Sequence, residues 1–140
     1  MPTCPSLWSF EGDWIVDKEI EEASGVVGSF TGTASFTRQG TSLLYEEVGQ
    51  LTPPGGETSF EAQRRYIWRE EKGWIAISFD DGRPFHSLPI GVADPETTFL
   101  CDPDRYHVTY DFSGWPKWSA IWDVEGPRKS YRMRVNYRRP

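Results

Sequence analysis

Cysteine is nearly missing from this sequence: Cys4 and Cys101 are the only two. Two thiols cannot make a disulfide framework, so the expectation is free cysteines in a reducing cytoplasm. Cys101 reads as a small buried hydrophobe. Met1 to Trp8 shows neither a basic region nor an apolar run, so no secretory leader is expected. No apolar run approaches the length of a membrane span. There is no Gly-x-Ser-x-Gly elbow, no phosphate-cradling glycine loop and no dinucleotide fingerprint. Histidine is scarce, with His86 and His107 alone. Acid is missing from the last stretch: all 21 acidic residues lie at or before Glu125. From Pro127 onward the chain carries Arg128, Lys129, Arg132, Arg134, Arg138 and Arg139. The first 126 residues therefore hold nine basic groups against 21 acids, a net of −12. So acidic a body argues against general nucleic-acid binding.

What is abundant points to strands. Seven Trp, six Tyr and eight Phe suit a pleated, half-buried surface. Turn signals recur along the chain, among them Ser24-Gly25, Gln39-Gly40, Pro53-Pro54-Gly55-Gly56, Lys72-Gly73, Asp80-Asp81-Gly82, Ser113-Gly114 and Gly126-Pro127. Their spacing of roughly eight to twelve residues is that of an antiparallel sandwich or barrel. Period-two alternation runs between them. Phe30, Gly32, Ala34 and Phe36 share one face, as do Tyr106, Val108, Tyr110 and Phe112. Trp118, Ala120, Trp122 and Val124 form another. In the last stretch Tyr131, Met133, Val135 and Tyr137 oppose Arg132, Arg134, Asn136 and Arg138. Asp13 to Ala23 is the best helix candidate, but Trp14, Val16 and Ile20 fit a strand with Lys18 on the same face, and strand is preferred. The chain is read as all-β: an N-terminal extension over residues 1–9, then one antiparallel up-and-down β-barrel over residues 10–140, of about nine or ten strands with little helix. Closure into a barrel removes exposed edges.

Phe10-x-Gly12-x-Trp14 resembles the opening motif of lipocalins and other calycins. In that family the Trp plugs one end of the barrel and an Arg near the last strand packs over it, a favourable cation–aromatic contact. The resemblance implies that Trp14 is structural and that Arg134 or Arg138 covers it. Further words cover most of the chain: Tyr45-Glu46-Glu47-x-Gly49, Arg65-Tyr66-x-Trp68, Asp81-Gly82-Arg83-x-Phe85-His86, Cys101-x-Pro103-Asp104-x-Tyr106 and Gly126-Pro127-x-Lys129-x-Tyr131. Together they resemble a family of small calycin-like domains of unknown function. That resemblance implies the barrel and no activity. Haem-carrying small barrels follow Gly-x-Trp with further glycines and use a His near the C-terminus. Neither occurs here, and no cofactor is expected.

The candidate ligand contacts are Arg65, Tyr66, Arg83, His86, Tyr106, Trp122, Lys129 and Tyr131. Arginine offers a planar fork of donors to a carboxylate or phosphate, and aromatic walls take an apolar tail. The bland alternative is that the arginines lie outside and pair with the many acids. His86 could donate to a ligand or act as a base, or be a hydrogen-bonded His near the barrel mouth. His107, opposite Tyr106 and Tyr110, reads as surface. Cys101, Asp102, Asp104 and His107 match no zinc spacing, so no metal is expected. The pairs Glu46-Glu47, Glu70-Glu71 and Asp80-Asp81 put neighbours on opposite strand faces and read as solvated.

Three functions fit these residues. The first is a barrel binding a small apolar or amphipathic molecule, with or without an anionic head. The second is an enzyme with His86 as acid or base, helped by Tyr106 or Asp104. The third is a protein-interaction module using the basic C-terminal strand. The test among them is whether a cavity exists and which of Arg65, Arg83, His86 and Lys129 line it.

Overall fold

A computed structural model of the chain describes residues 4–140. Ten strands follow in chain order: β1 Gly12–Glu22, β2 Val27–Gln39, β3 Ser42–Thr52, β4 Phe60–Glu71, β5 Trp74–Phe79, β6 Pro84–Pro89, β7 Glu96–Cys101, β8 Asp104–Asp111, β9 Trp118–Glu125 and β10 Ser130–Arg138. Each is antiparallel to its neighbours, and β1 pairs with β10. The result is an up-and-down, nearly closed barrel. Its one opening line falls between β6 and β7, which no ladder joins. Among the described residues the only helical element is a 3-10 turn over Leu7–Phe10. The stretch from Asp13 is strand, as its Trp14, Val16, Lys18 alternation requires.

The alternating apolar sets face the interior, which settles the faces that the sequence left open. Phe30, Ala34 and Phe36, Val108 and Tyr110, and Trp118 and Ala120 are all buried. On β10, Val135 is buried while Arg132, Arg134 and Arg138 lie outside. Gly32 and Gly49 lie opposite each other on β2 and β3. A Cβ on Gly32 would sit 2.2 Å from the Val48 carbonyl oxygen, so only glycine permits this approach.

One end is sealed by aromatic packing. Leu7, Phe10 and Trp14 are essentially inaccessible. The Phe10 ring packs on Phe36, Trp68, Phe112, Trp115 and Trp118 at centroid distances of 5.0 to 5.7 Å. The Trp14 indole donates to the Phe10 carbonyl at 2.8 Å. The cation over Trp14 is Arg139, 3.8 Å from the ring centroid. Neither Arg134 nor Arg138 takes that place. Both belong to the outward set of β10, whereas Arg139 follows the strand and turns back across the barrel end. There it donates to the carbonyls of Ser9, Glu11 and Asp13. Leu7, within the stretch read as an extension, is part of this plug.

Candidate functional site

Above the plug the interior is not filled. A cavity of about 540 Å³ opens at the other end, and a chamber of about 70 Å³ lies deeper. Lys18, Glu47, Tyr66, Phe85, Trp122 and Met133 line both and so form the boundary between them.

The boundary carries a buried polar chain. Lys18 on β1 donates to Glu47 Oε2 on β3 at 2.5 Å. Tyr45, two residues before Glu47 and on the same face, donates to Glu47 Oε1 at 2.5 Å. The Tyr45 hydroxyl lies 3.0 Å from that of Tyr137. Since Tyr45 gives its proton to the carboxylate, Tyr137 donates to Tyr45. Burial pulls the Lys18 amine below its ordinary pKa, against the opposing pull of Glu47, and Arg64 adds to the lowering. Burial pushes the Tyr45 and Tyr137 hydroxyls far above theirs, and Tyr66 up to about 12. All three phenols are therefore neutral donors at ordinary pH. Glu47 corrects the reading of Glu46-Glu47 as a solvated pair. Glu46 is outside, paired with Arg65, and Glu47 is 4% exposed.

His86 lies in the deeper chamber. Its Nε2 is 2.8 Å from the Tyr110 hydroxyl, and its ring stacks on Phe99 of β7 with centroids 5.1 Å apart. Burial alone drops its pKa to about 3, so the ring is neutral. Phe85 and His86 both face inward, although they are neighbours. A bulge opposite Ile77 and Ser78 makes this possible by inserting one residue into β6. His86 Nδ1, Trp68 Nε1 and Trp118 Nε1 are the buried side-chain polar atoms without a hydrogen-bond partner among the described residues. All three residues line the deep chamber.

The mouth is basic. Arg64, Arg128 and Lys129 line it together with Tyr106 and Tyr131. Lys129 lies 3.3 Å from Asp104, whose hydrogen bond raises the lysine pKa. Gly126 makes this pairing fit, since a Cβ there would meet Asp104 Oδ1 at 2.0 Å. Arg64 and Arg128 pair with no carboxylate among the described residues.

Of the eight residues proposed from sequence, Tyr66, Tyr106, Trp122, Lys129 and Tyr131 line the large cavity, and Tyr66, Trp122 and His86 line the chamber. Arg65 and Arg83 do neither job. Arg65 faces out beside a depression of about 660 Å³ on the outer surface, 2.8 Å from Glu46. Arg83, within Asp81-Gly82-Arg83-x-Phe85-His86, precedes β6 and pairs with Asp81 of the same stretch at 2.7 Å. The inward arginine is Arg64. Neighbours on a strand face opposite ways, so Tyr66 inside requires Arg64 inside and Arg65 out. That parity was available in the sequence. Cys101 is exposed, not a buried hydrophobe, and Cys4 and Cys101 are both free. His107 lies on the surface, 2.6 Å from the Thr98 hydroxyl.

A family model matches residues 10–139, nearly the whole barrel. The chain belongs to DUF6314, a family of unknown function. No curated protein and no solved structure matches it. In this DUF6314 barrel, words scattered along the sequence converge on the interior. Tyr45, Glu47, Tyr66, Trp68, Phe85 and His86 meet at the chamber, and Tyr106, Lys129 and Tyr131 meet at the mouth.

Proposed function

We propose that the barrel is a carrier for a small amphipathic anion. The observation that bears this reading is the cavity itself. It is an apolar well walled by Phe30, Leu51, Phe79, Phe85 and Trp122, with Arg64, Arg128 and Lys129 around its mouth. A volume of about 540 Å³ is in the range of sites for drug-sized ligands. The apolar wall takes the tail, and the basic rim offers charge-assisted donors to a carboxylate or phosphate head. The sealed end, with Gly12-x-Trp14 under an arginine, supports a calycin-type reading of the barrel. The two free cysteines support a reducing compartment such as the cytoplasm.

The carrier reading is preferred to an enzyme built on His86. Tyr106 and Asp104, the expected helpers, make no hydrogen bond to His86, and Asp104 is engaged with Lys129 at the mouth. A base is most effective with a pKa near the working pH, whereas burial holds His86 at about 3. An interaction module on the last strand is also less favoured, because Arg132 is already paired with Asp123 at 2.7 Å.

The test is binding of 1-anilinonaphthalene-8-sulfonate, followed by its fluorescence, and its displacement by dodecanoate and by dodecanol. Dodecanoate should displace the dye at lower concentration than the neutral alcohol. Reversing charge with Arg64→Glu and Arg128→Glu should remove that advantage. A barrel that binds neither dye nor dodecanoate, or that treats acid and alcohol alike, refutes the carrier.

A further inference from the structure

The deep chamber has a chemistry of its own, distinct from the mouth. Its floor is Trp68 and Trp118, which rest on the Phe10 plug and lie 6.3 Å apart by ring centroid. Both indole N–H groups are buried without an acceptor, although an indole nitrogen can only donate. Trp14, a little lower, has its acceptor in the Phe10 carbonyl. Orphaned donors of this kind cost stability in a native interior and call for an explanation.

The tautomer of His86 follows from the same accounting. If Nε2–H donated to Tyr110, the buried Tyr110 proton would itself lack an acceptor and Nδ1 would be an unused acceptor. If Tyr110 donates to Nε2, the imidazole proton sits on Nδ1 and that one group alone is left over. The second arrangement strands fewer groups. Three N–H donors, from Trp68, Trp118 and His86, are then left over among the residues that line the chamber, and none of these groups accepts.

Charge sets the remaining condition. Glu47 lines the chamber and is already matched to Lys18. A second buried anion would face that carboxylate at low dielectric, where like charges repel strongly. The His86 ring, neutral at ordinary pH, brings no compensating charge. The group that answers the three left-over donors is uncharged, small and an acceptor. A chamber of about 70 Å³ has room for such a chain end, since a water molecule occupies about 30 Å³.

We propose that the deep chamber binds a carbonyl oxygen at the buried end of the ligand, so that the ligand carries an anionic head at the mouth and a ketone, aldehyde or amide at its far end. This inference rests on the carrier reading above and deepens it. The apolar wall of the large cavity takes the connecting chain or ring, which passes the Lys18–Glu47 pair at the boundary. A hydroxyl must also place its own proton, on one of the Tyr or Glu47 oxygens that line the chamber, whereas a carbonyl has none to place.

The test compares three probes with the same head and chain length on the unaltered protein. They are dodecanoate, its ω-hydroxy derivative and the keto acid with a carbonyl next to the chain end, each titrated by calorimetry. The keto acid should bind about ten-fold or more tightly than dodecanoate, the scale expected from satisfying one or two buried donors. The hydroxy acid should fall between them. Dodecanoate binding as tightly as the keto acid overturns the proposal, as does the hydroxy acid binding tightest. If none of the three binds, the carrier reading fails and takes this inference with it. Trp118→Phe removes one N–H and keeps an aromatic ring. It should bring the keto-to-plain affinity ratio down towards one. A ratio unchanged in both Trp118→Phe and Trp68→Phe also overturns the proposal.

Discussion

Trp14 and Trp118 lie side by side, their rings 5.9 Å apart, yet they live under different conditions. Trp14 faces the sealed end. Its N–H is bonded to Phe10, its face is covered by Arg139, and Arg139 in turn is held by three backbone carbonyls. Trp118 faces the cavity. One face stacks on Tyr137 at 3.7 Å, and its N–H has no partner. The closed end satisfies its own polar groups and is built for stability. The deep chamber leaves Trp68 Nε1, Trp118 Nε1 and His86 Nδ1 unpaired and is stabilised less by them. This is the ordinary division between scaffold and site, where local rules are broken at the site and compensated elsewhere.

Removing a scaffold ring should have the largest effect. Phe10→Ala should cost about 3–5 kcal/mol, the scale of a buried Phe truncation, read as a lower urea midpoint. If the loss is under about 1 kcal/mol, the closed end is not the scaffold described here. Next comes the buried pair at the boundary. Glu47→Leu strands the Lys18 charge and should cost about 3–5 kcal/mol, whereas Lys18→Met with Glu47→Leu should recover most of that loss. A double variant as unstable as the single one would show that the pair is not the unit.

The third effect depends on pH. Unfolded His86 takes up a proton near its ordinary value of 6.5, and folded His86 only near 3. Between these values the unfolded state binds more protons, so stability falls as pH falls. The slope approaches about 1.4 kcal/mol per pH unit below about pH 6. His86→Phe should flatten that part of the profile when urea midpoints are taken from pH 7 to pH 4. The smallest effects separate two arginines. Arg139→Gln should cost about 1–2 kcal/mol through its carbonyl bonds and the Trp14 face. Arg65→Ala, an exposed pair with Glu46, should change stability by less than about 0.5 kcal/mol. Equal losses would erase the distinction between plug and surface.

The barrel was legible because its signals are local. Alternation in Trp118 to Val124 and Tyr131 to Tyr137 states which face is buried, and Ser113-Gly114 and Gly126-Pro127 mark where the chain turns. Much of the cavity lining followed from the same periodicity, as with Tyr106, Trp122 and Tyr131. The polar core did not, for two reasons. Lys18 could be placed on the apolar face of β1, but its partner is on β3, two strands away, and register across three strands is not a local property. Glu46 against Glu47 and Arg64 against Arg65 each present like residues in succession, so composition is silent and only parity decides. Counting from Leu43 and Tyr45 would have put Glu47 inside. Phe85 with His86 defeats parity altogether, because a bulge turns both inward and no residue in Pro84–Pro89 announces it.

Ten strands joined by nine ladders make a curled sheet rather than a fixed hoop. A hoop resists widening with every backbone hydrogen bond around its girth. Here the girth is completed at β6 and β7 by side chains: the His86 and Phe85 rings pack on Phe99, and His86 meets the Tyr110 hydroxyl. Along this one line the girth rests on side-chain packing, where every other neighbouring pair of strands is held by a backbone ladder.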